Sequence, residues 1–340
     1  MRKHIALFAG LGGFTAASNR VGIETVFATD HEKNCINTIK NSFKDVPTAC
    51  MDICSLKFED HFDVDTEIDI LSAGFPCQSF SRVGTNLGFD DPRGQLFFEI
   101  PRLIGQLASP PKVIFLENVP FLKMFNNGSR LDTILQQLRL NGYWISNAQA
   151  PILNSRNMSG SPQSRERLYM VAYHSSYFKR NFFNFENFEI IAPQDLWTVI
   201  DRKLSQSDDL YLDKDSKYFQ MLDQSIKKHG EDRLYQIRRV GVRACPENVC
   251  PTLTANMGGG GHNVPFLRDY KGIRKLSVLE CLRMQGFEDG EINFPEDLPI
   301  SRRYMMIGNA VHVDTVAKVF AQIDFSKEKK NRHDRMDISA

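Results

Sequence analysis

The sequence has no apolar run approaching the roughly 18 residues that a membrane helix needs, and the apolar part of its opening, MRKHIALFAG, is too short for a secretion signal. A cytoplasmic protein without a membrane partner is expected. Charge of one sign is lacking too: 42 Lys and Arg stand against 41 Asp and Glu, a net charge of +1. Such a balance neither demands nor forbids a polyanionic partner, because binding depends on where the charges lie. Cysteine is scarce, seven in 340 residues and scattered. An odd, dispersed set argues against a disulfide framework and for reduced thiols. Cys50 with Cys54, and Cys245 with Cys250, have no nearby histidine to complete a zinc pattern. No metal is expected, and these four read as buried or incidental.

What remains is an ordinary globular composition, 42% hydrophobic and 24% charged, ample for a large domain and a smaller one. HIALFAG is an apolar run of strand length, and LGGFTAASNRVG opens with glycines and turns helix-like. Glycines at 10, 12 and 13 would let backbone approach a ligand, and the helix start offers unpaired N–H groups. A second strand, ETVFATD, ends in Asp30, an acid placed to accept ribose hydroxyls. The glycine spacing departs from the dinucleotide fingerprint, so a plain βα turn needing small residues stays open beside the ligand reading.

Further strands are expected up to CMDIC and in DILSAGF, KVIFLEN and RLYMVAY, with helices between several of them. The clearest helix is LDTILQQLRLNG, with Leu131, Ile134, Leu135 and Leu138 on one face and Gly142 as its stop. This alternation predicts an α/β fold with a mostly parallel sheet. Ligands of such sheets sit beyond the carboxyl ends of the strands, where Phe8, Asp30, Asp52, Cys77 and Glu117 all fall. Cys77, in GFPCQSFS, is a candidate nucleophile stiffened by Pro76, and Glu117 a carboxyl group able to donate a hydrogen bond or a proton. A small core cysteine and a helix-capping Glu117-Asn118 are the blander alternatives.

In this order, FAGLGGF, GFPCQSFS, ENV, QSRERLYMV, RKLSVLECLRMQGF and YMMIGNAV resemble the motifs of the cytosine-specific DNA methyltransferases that methylate carbon 5. They cover roughly residues 5–172 and 272–320. The resemblance implies a Rossmann-like S-adenosylmethionine-dependent domain, double-stranded DNA as partner and a cytosine rotated out of the helix. Cys77 would add to ring carbon 6, Glu117 would hold ring nitrogen 3 and the exocyclic amine, and Arg165 and Arg167 complete the catalytic set, Arg167 contacting the ring carbonyl. The cofactor would meet Phe8, Gly10, Leu11, Gly12, Gly13, Asp30, His31, Asp52, Ile53, Pro76, Leu96, Asn309 and Ala310.

The same resemblance sets the organisation: residues 1–175 a catalytic and cofactor domain, 176–271 a target-recognition domain, 272–303 a supporting hinge, 304–325 a return to the first domain, and 326–340 a frayed tail. Ser81, Arg82 and Arg93 in the loop after the cysteine, with Arg238, Arg239, Arg243 and Thr252 farther on, are candidate DNA contacts. Solvated-loop and solvated-strand readings of these arginines stay open. Phenylalanines 182, 183, 185 and 188 read as the small domain's core, and Ser277 with Glu280 as a capping box. Between ILN and PQSRER the chain runs SRNMSGS, one residue longer than the family pattern. A monomer acting in a restriction-modification pair is the implied setting; an RNA-directed relative and a non-catalytic DNA binder are the alternatives.

Overall fold

The computed structural model describes residues 1–76, 95–124, 128–204, 206–258 and 262–329. Cys77, Ser81, Arg82 and Arg93 lie outside them.

The chain opens with β1 (Arg2–Leu7), β2 (Ile23–Asp30), β3 (Thr48–Cys50), β4 (Ile70–Ala73) and β5 (Val113–Asn118). Then follow β6 (Tyr143–Trp144), β7 (Ile152–Asn154), β8 (Gln163–Ser164) and β9 (Glu166–His174). One sheet runs in the order β3-β2-β1-β4-β5-β9-β6, with β7 also on β9. The five strands from β3 to β5 pair parallel, and β9 turns antiparallel against β5. The sheet is apolar on both faces, and alternate residues divide between them. Ala6, Val113, Phe115, Tyr169 and Val171 enter one core. Ile5, Leu7, Ile114, Leu116, Leu168 and Met170 enter the other. The chain builds outward from β1 through β2 to β3, then returns to place β4 on the other side of β1. That reversal is a topological switch point, where open α/β sheets leave a crevice beyond the strand ends.

The helix read from periodicity is there, Ser129–Leu140, with Leu131, Ile134, Leu135 and Leu138 buried. Gly142 follows it at φ 84°, a conformation glycine adopts without steric cost. The longer SRNMSGS segment forms a short helix, Ser155–Ser159, in which Asn154 accepts from the Arg156 N–H at 3.0 Å. It rises out of the sheet between β7 and β8, so the register Leu153↔Arg167 is undisturbed.

A second sheet is formed by β10 (Tyr235–Arg238), β11 (Gly241–Ala244), β13 (Pro265–Arg268) and β14 (Ile273–Lys275), all antiparallel. Its core joins Tyr235, Ile237, Phe266 and Ile273 to Leu222 and Ile226 of the helix Lys217–His229. Phe183 and Phe185 do not belong to that core. They are buried in the larger cluster that also holds Phe14 and Phe115, with Phe182 and Phe188 packed against it. β12 (Cys250–Pro251) pairs with β8. The expected capping box is formed: Ser277 Oγ accepts from the Glu280 N–H, and Glu280 returns the bond to the Ser277 N–H. Residues 326–329 are pinned rather than frayed, since Glu328 meets Lys112 and Arg2, and the Lys329 N–H donates to Tyr177 O at 2.7 Å.

Candidate active site

A cavity of about 420 Å³ opens beyond the carboxyl ends of β1, β2 and β3. Phe8, Asp30, His31, Asp52, Ile53, Pro76 and Leu96 all line it. β1 delivers Phe8, which sits at φ 52°, a left-handed conformation that costs a non-glycine residue energy and is kept only where surroundings impose it. β2 delivers Asp30. Its Oδ2 accepts from the Gly10 N–H at 2.8 Å and its Oδ1 from the Glu32 N–H at 2.9 Å. The glycine loop is thus tied to the end of β2, with one backbone donor on each carboxylate oxygen. His31 Nδ1 lies 3.3 Å from Asp30 Oδ1, and this bond holds the imidazole above its ordinary value of 6.5.

Asp52 begins the 3-10 turn Ile53–Ser55, accepting from the Cys54 N–H at 2.9 Å. Thr29, Met51 and Cys54 complete the wall. The sequence reading missed them, and it had set Cys54 aside as incidental. Proximity to Asp30 in β2 and to Asp52 was the signal that could have found them. Desolvation first, and then the bond to Asp52, push the Cys54 thiol above its usual range.

Glu117 stands at the end of β5, 8% exposed, with Arg167 Nε 3.0 Å from its Oε1. Arg167 comes from β9, paired to β5, so two adjacent strands fix acid and base together. Beneath them the phenol of Tyr169 is pushed up by burial and by the Glu117 charge. The segment Gly74–Pro76 joins the two places. A side chain at Gly74 would reach 3.9 Å from Glu117 Oε2, Phe75 O accepts from Asn118 Nδ2 at 3.1 Å, and Pro76 lines the cavity. Cys77 is the next residue in the chain.

Other expected site residues fall elsewhere. Gly10, Leu11, Gly12 and Gly13 are outside the cavity wall. Gly10 serves through its N–H to Asp30, and Leu11 is buried in the core. Gly12 and Gly13 keep the helix Gly13–Arg20 close to its neighbours, since a Cβ on either would meet Phe43 or Val311 at 2.7 Å. Asn309 and Ala310, at the end of the helix Ile300–Asn309, do not line it either. Arg165 is held differently from Arg167. It is 1% exposed and donates to Leu253 O at 3.0 Å, Gly308 O at 3.3 Å and Ala310 O at 2.6 Å, which makes it a brace between three segments. Thr252 spends its hydroxyl proton on Ser164 O at 2.7 Å, so that hydroxyl does not offer it to a phosphate. Arg238 is half-buried against Asn263 and Gln236, whereas Arg239 and Arg243 are exposed on the β10–β11 hairpin.

A family model described as C-5 cytosine-specific DNA methylase matches residues 2–324. The Type II methyltransferase M.Bsp6I of Bacillus sp. (strain RFL6) is 38% identical over 95% of this chain and 98% of its own length. M.HhaI of Haemophilus parahaemolyticus, also a Type II methyltransferase, is 32% identical over 95% of this chain and 94% of its own. Among solved structures, the DNMT2 of Spodoptera frugiperda superposes with a TM-score of 0.70 at 18% identity, covering 94% of this chain and 98% of that one. An Escherichia coli prophage protein described as a putative DNA modification methyltransferase gives 0.65 at 21%, over 94% and 97%. These two likenesses speak for the fold. The family match across nearly the whole chain settles the rest: the protein belongs to the C-5 cytosine-specific DNA methylases, enzymes that methylate carbon 5 of cytosine in DNA with S-adenosylmethionine as donor.

Proposed function

We propose that Cys77 is the nucleophile of this methyltransferase, that Glu117 and Arg167 hold the target cytosine, and that the cavity from Phe8 to Leu96 receives S-adenosylmethionine. One observation carries this reading. Gly74–Pro76, leading directly into Cys77, borders Glu117 on one side and the cavity on the other. The cavity residues suit the donor. Apolar Phe8, Ile53, Pro76 and Leu96 offer surfaces to a flat base, and Asp30 and Asp52 offer acceptor oxygens to hydroxyls and an amine. When bound, the donor supplies an electrophilic methyl group on a sulfonium.

Carbon 5 of cytosine is too weak a nucleophile to take that methyl until aromaticity is broken. The Cys77 thiolate adds its electron pair to carbon 6, and negative charge develops on ring nitrogen 3 and the carbonyl oxygen. The Glu117 carboxyl group donates its proton to nitrogen 3 and accepts from the amine, and the Arg167 guanidinium donates to the carbonyl oxygen. Their mutual bond preorganises both, so no reorientation is needed as charge develops. Carbon 5 would take the methyl as the donor's bond from sulfur to methyl breaks and leaves a neutral thioether; solvent would take the carbon-5 proton, and expulsion of Cys77 as thiolate would restore the ring.

The recognition role belongs to 176–271 in this reading, with Arg239 and Arg243 on the hairpin and Arg82, Arg93 and Ser81 as further DNA contacts; 272–303 support it and 304–325 return to the first domain. In this reading the enzyme, similar to Type II methyltransferases, works as a monomer and protects DNA at one short sequence beside an endonuclease of the same specificity. Labelled S-adenosylmethionine with unmethylated DNA or total RNA, followed by bisulfite sequencing, tests the reading. Methylcytosine at one DNA motif, absent with Cys77→Ser, is expected. Label confined to RNA, or unchanged transfer by the variant, overturns it.

A further inference from the structure

One wall of the cavity has no sheet pairing to hold it. Past β3 the chain leaves the sheet, and the wall residues Asp52, Ile53 and Cys54 ride on a single 3-10 turn, Ile53–Ser55. Within the turn, Ile53 O takes only a long bond from the Leu56 N–H, at 3.3 Å, and so short a turn holds itself weakly. Its amino end is closed by Asp52. Its carboxyl end is closed from another part of the molecule: Arg102 Nη2 donates to Ile53 O at 2.8 Å, and Nη1 to Leu56 O at 3.2 Å. Arg102 belongs to the helix Glu99–Ile104, which continues directly from the 3-10 turn Leu96–Phe98 that carries the opposite wall residue, Leu96. Its third nitrogen, Nε, is oriented by Glu99 one turn earlier. Gln106 repeats the pattern more loosely, its Nε2 donating to the same Leu56 O at 3.4 Å while its Oε1 accepts from the Phe58 N–H at 2.8 Å.

We infer that Arg102 is a positioning residue for the methyl donor, setting the distance between the two walls by gripping the carbonyls of one from the helix that supplies the other. This rests on reading the cavity as the donor site. Arg102 is not in the cavity wall, so it acts through Ile53 and the carboxylate of Asp52. The guanidinium is suited to this because its rigid planar fork presents a separate nitrogen to each carbonyl and a third to Glu99, whereas an ammonium is a single point donor on a flexible stem. Without the grip the turn samples other positions, and donor affinity falls by the fraction of time it is out of place.

The test compares Arg102→Met, Arg102→Lys, Asp30→Ala and Arg139→Met in the full chain. Arg139 Nε also donates to a backbone carbonyl, Ile145 O at 2.9 Å, but in a part of the fold that does not line the cavity. Binding of S-adenosylmethionine is measured by calorimetry, with KM for donor and for DNA, kcat at saturating donor, and melting temperature. Expected is a rise of about ten-fold in donor Kd and KM for Arg102→Met, with kcat and the KM for DNA within two-fold of wild type. Arg102→Lys should fall between, and Arg139→Met should leave donor binding unchanged. An unchanged donor KM in Arg102→Met, an equal rise in Arg139→Met, or a loss confined to kcat overturns the inference. If Asp30→Ala also leaves donor binding untouched, the reading of the cavity fails with it; if Asp30→Ala alone weakens binding, only the role of Arg102 fails.

Discussion

Asp30 and Glu117 are both carboxylates at the ends of strands in one sheet, yet their partners differ. Asp30 is held by backbone N–H groups and Glu117 by a guanidinium. In the proposed mechanism the first shapes a binding surface and the second meets developing charge. Replacing Glu117 by Gln keeps its outline but removes the carboxyl group that can hand a proton to nitrogen 3, so the rate of methyl transfer should fall about 100-fold or more, with donor affinity within two-fold of wild type. Initial rates set beside calorimetric binding check this; a parallel loss of donor affinity would place Glu117 in the cavity instead. Type and spacing made this residue legible in the sequence. The placement of Arg165 was not, for a physical reason. In an unbroken strand Arg165 and Arg167 would share a face, but between them the chain leaves β8, paired with β12, and enters β9, paired with β5. Arg165 sits at that change of partner and turns into the seam toward Gly308 and Ala310.

Among the elements, legibility followed periodicity. The strands on both sides of the switch point were readable because their runs are apolar and bounded by turns, and the helix Ser129–Leu140 because its leucines repeat on one face. The small sheet was not readable: its strands are three or four residues long, too short for alternation to be counted. The phenylalanine run misled for a related reason, since composition says that Phe183 and Phe185 are buried but not against which sheet. On the β10–β11 hairpin, Val240 stands fully exposed at the tip beside Arg239, with Arg243 across from Gln236. If this hairpin meets DNA phosphates, Arg239→Ala and Arg243→Ala should each weaken binding across sequences and lower the slope of log K against log salt by about 1. Titrating labelled duplex at several salt concentrations reads this directly. A slope unchanged in both variants would move the contact off the hairpin.

At the scale of the whole molecule, buried polar groups tie the parts together. Arg274 in β14 is fully buried, donating to Asp269 at 2.7 Å and to both oxygens of Glu280 at 2.8 Å, while the Tyr211 hydroxyl donates to Asp269 at 2.8 Å. The small sheet is thereby joined to the capping box of the helix Val278–Met284. Arg274→Met would leave two carboxylates buried without their cation, a change that costs about 3–5 kcal/mol in comparable cases, readable by urea denaturation at neutral pH. A smaller loss, under about 1 kcal/mol, would mean that water reaches the carboxylates once the arginine is gone.

The opposite problem, a base buried without an acid, sets the molecule's response to pH. His4 lies inside β1, its ring nitrogens 3.0 Å from Thr25 Oγ1 and 2.7 Å from Ser72 Oγ, and burial pushes its pKa down to about 3. His312 is lowered to about 3 for the same reason. In the unfolded chain both titrate near 6.5. Between these values the unfolded chain binds more protons than the folded one, so stability is fully present above pH 6.5 and drains away as pH falls toward 3. His31, raised by Asp30, has the opposite sign and contributes most below pH 6.5, but it is largely exposed and its share is small. His174 is buried too and lowered by desolvation, so among the described residues three buried histidines dominate down to the range where carboxylates begin to titrate. His4→Gln should be less stable than the parent at pH 7 and should lose less melting temperature between pH 7 and pH 5. Equal losses in the two proteins would show that His4 does not drive the acid response, which would then have to come from His312, His174 and the carboxylates paired across the fold.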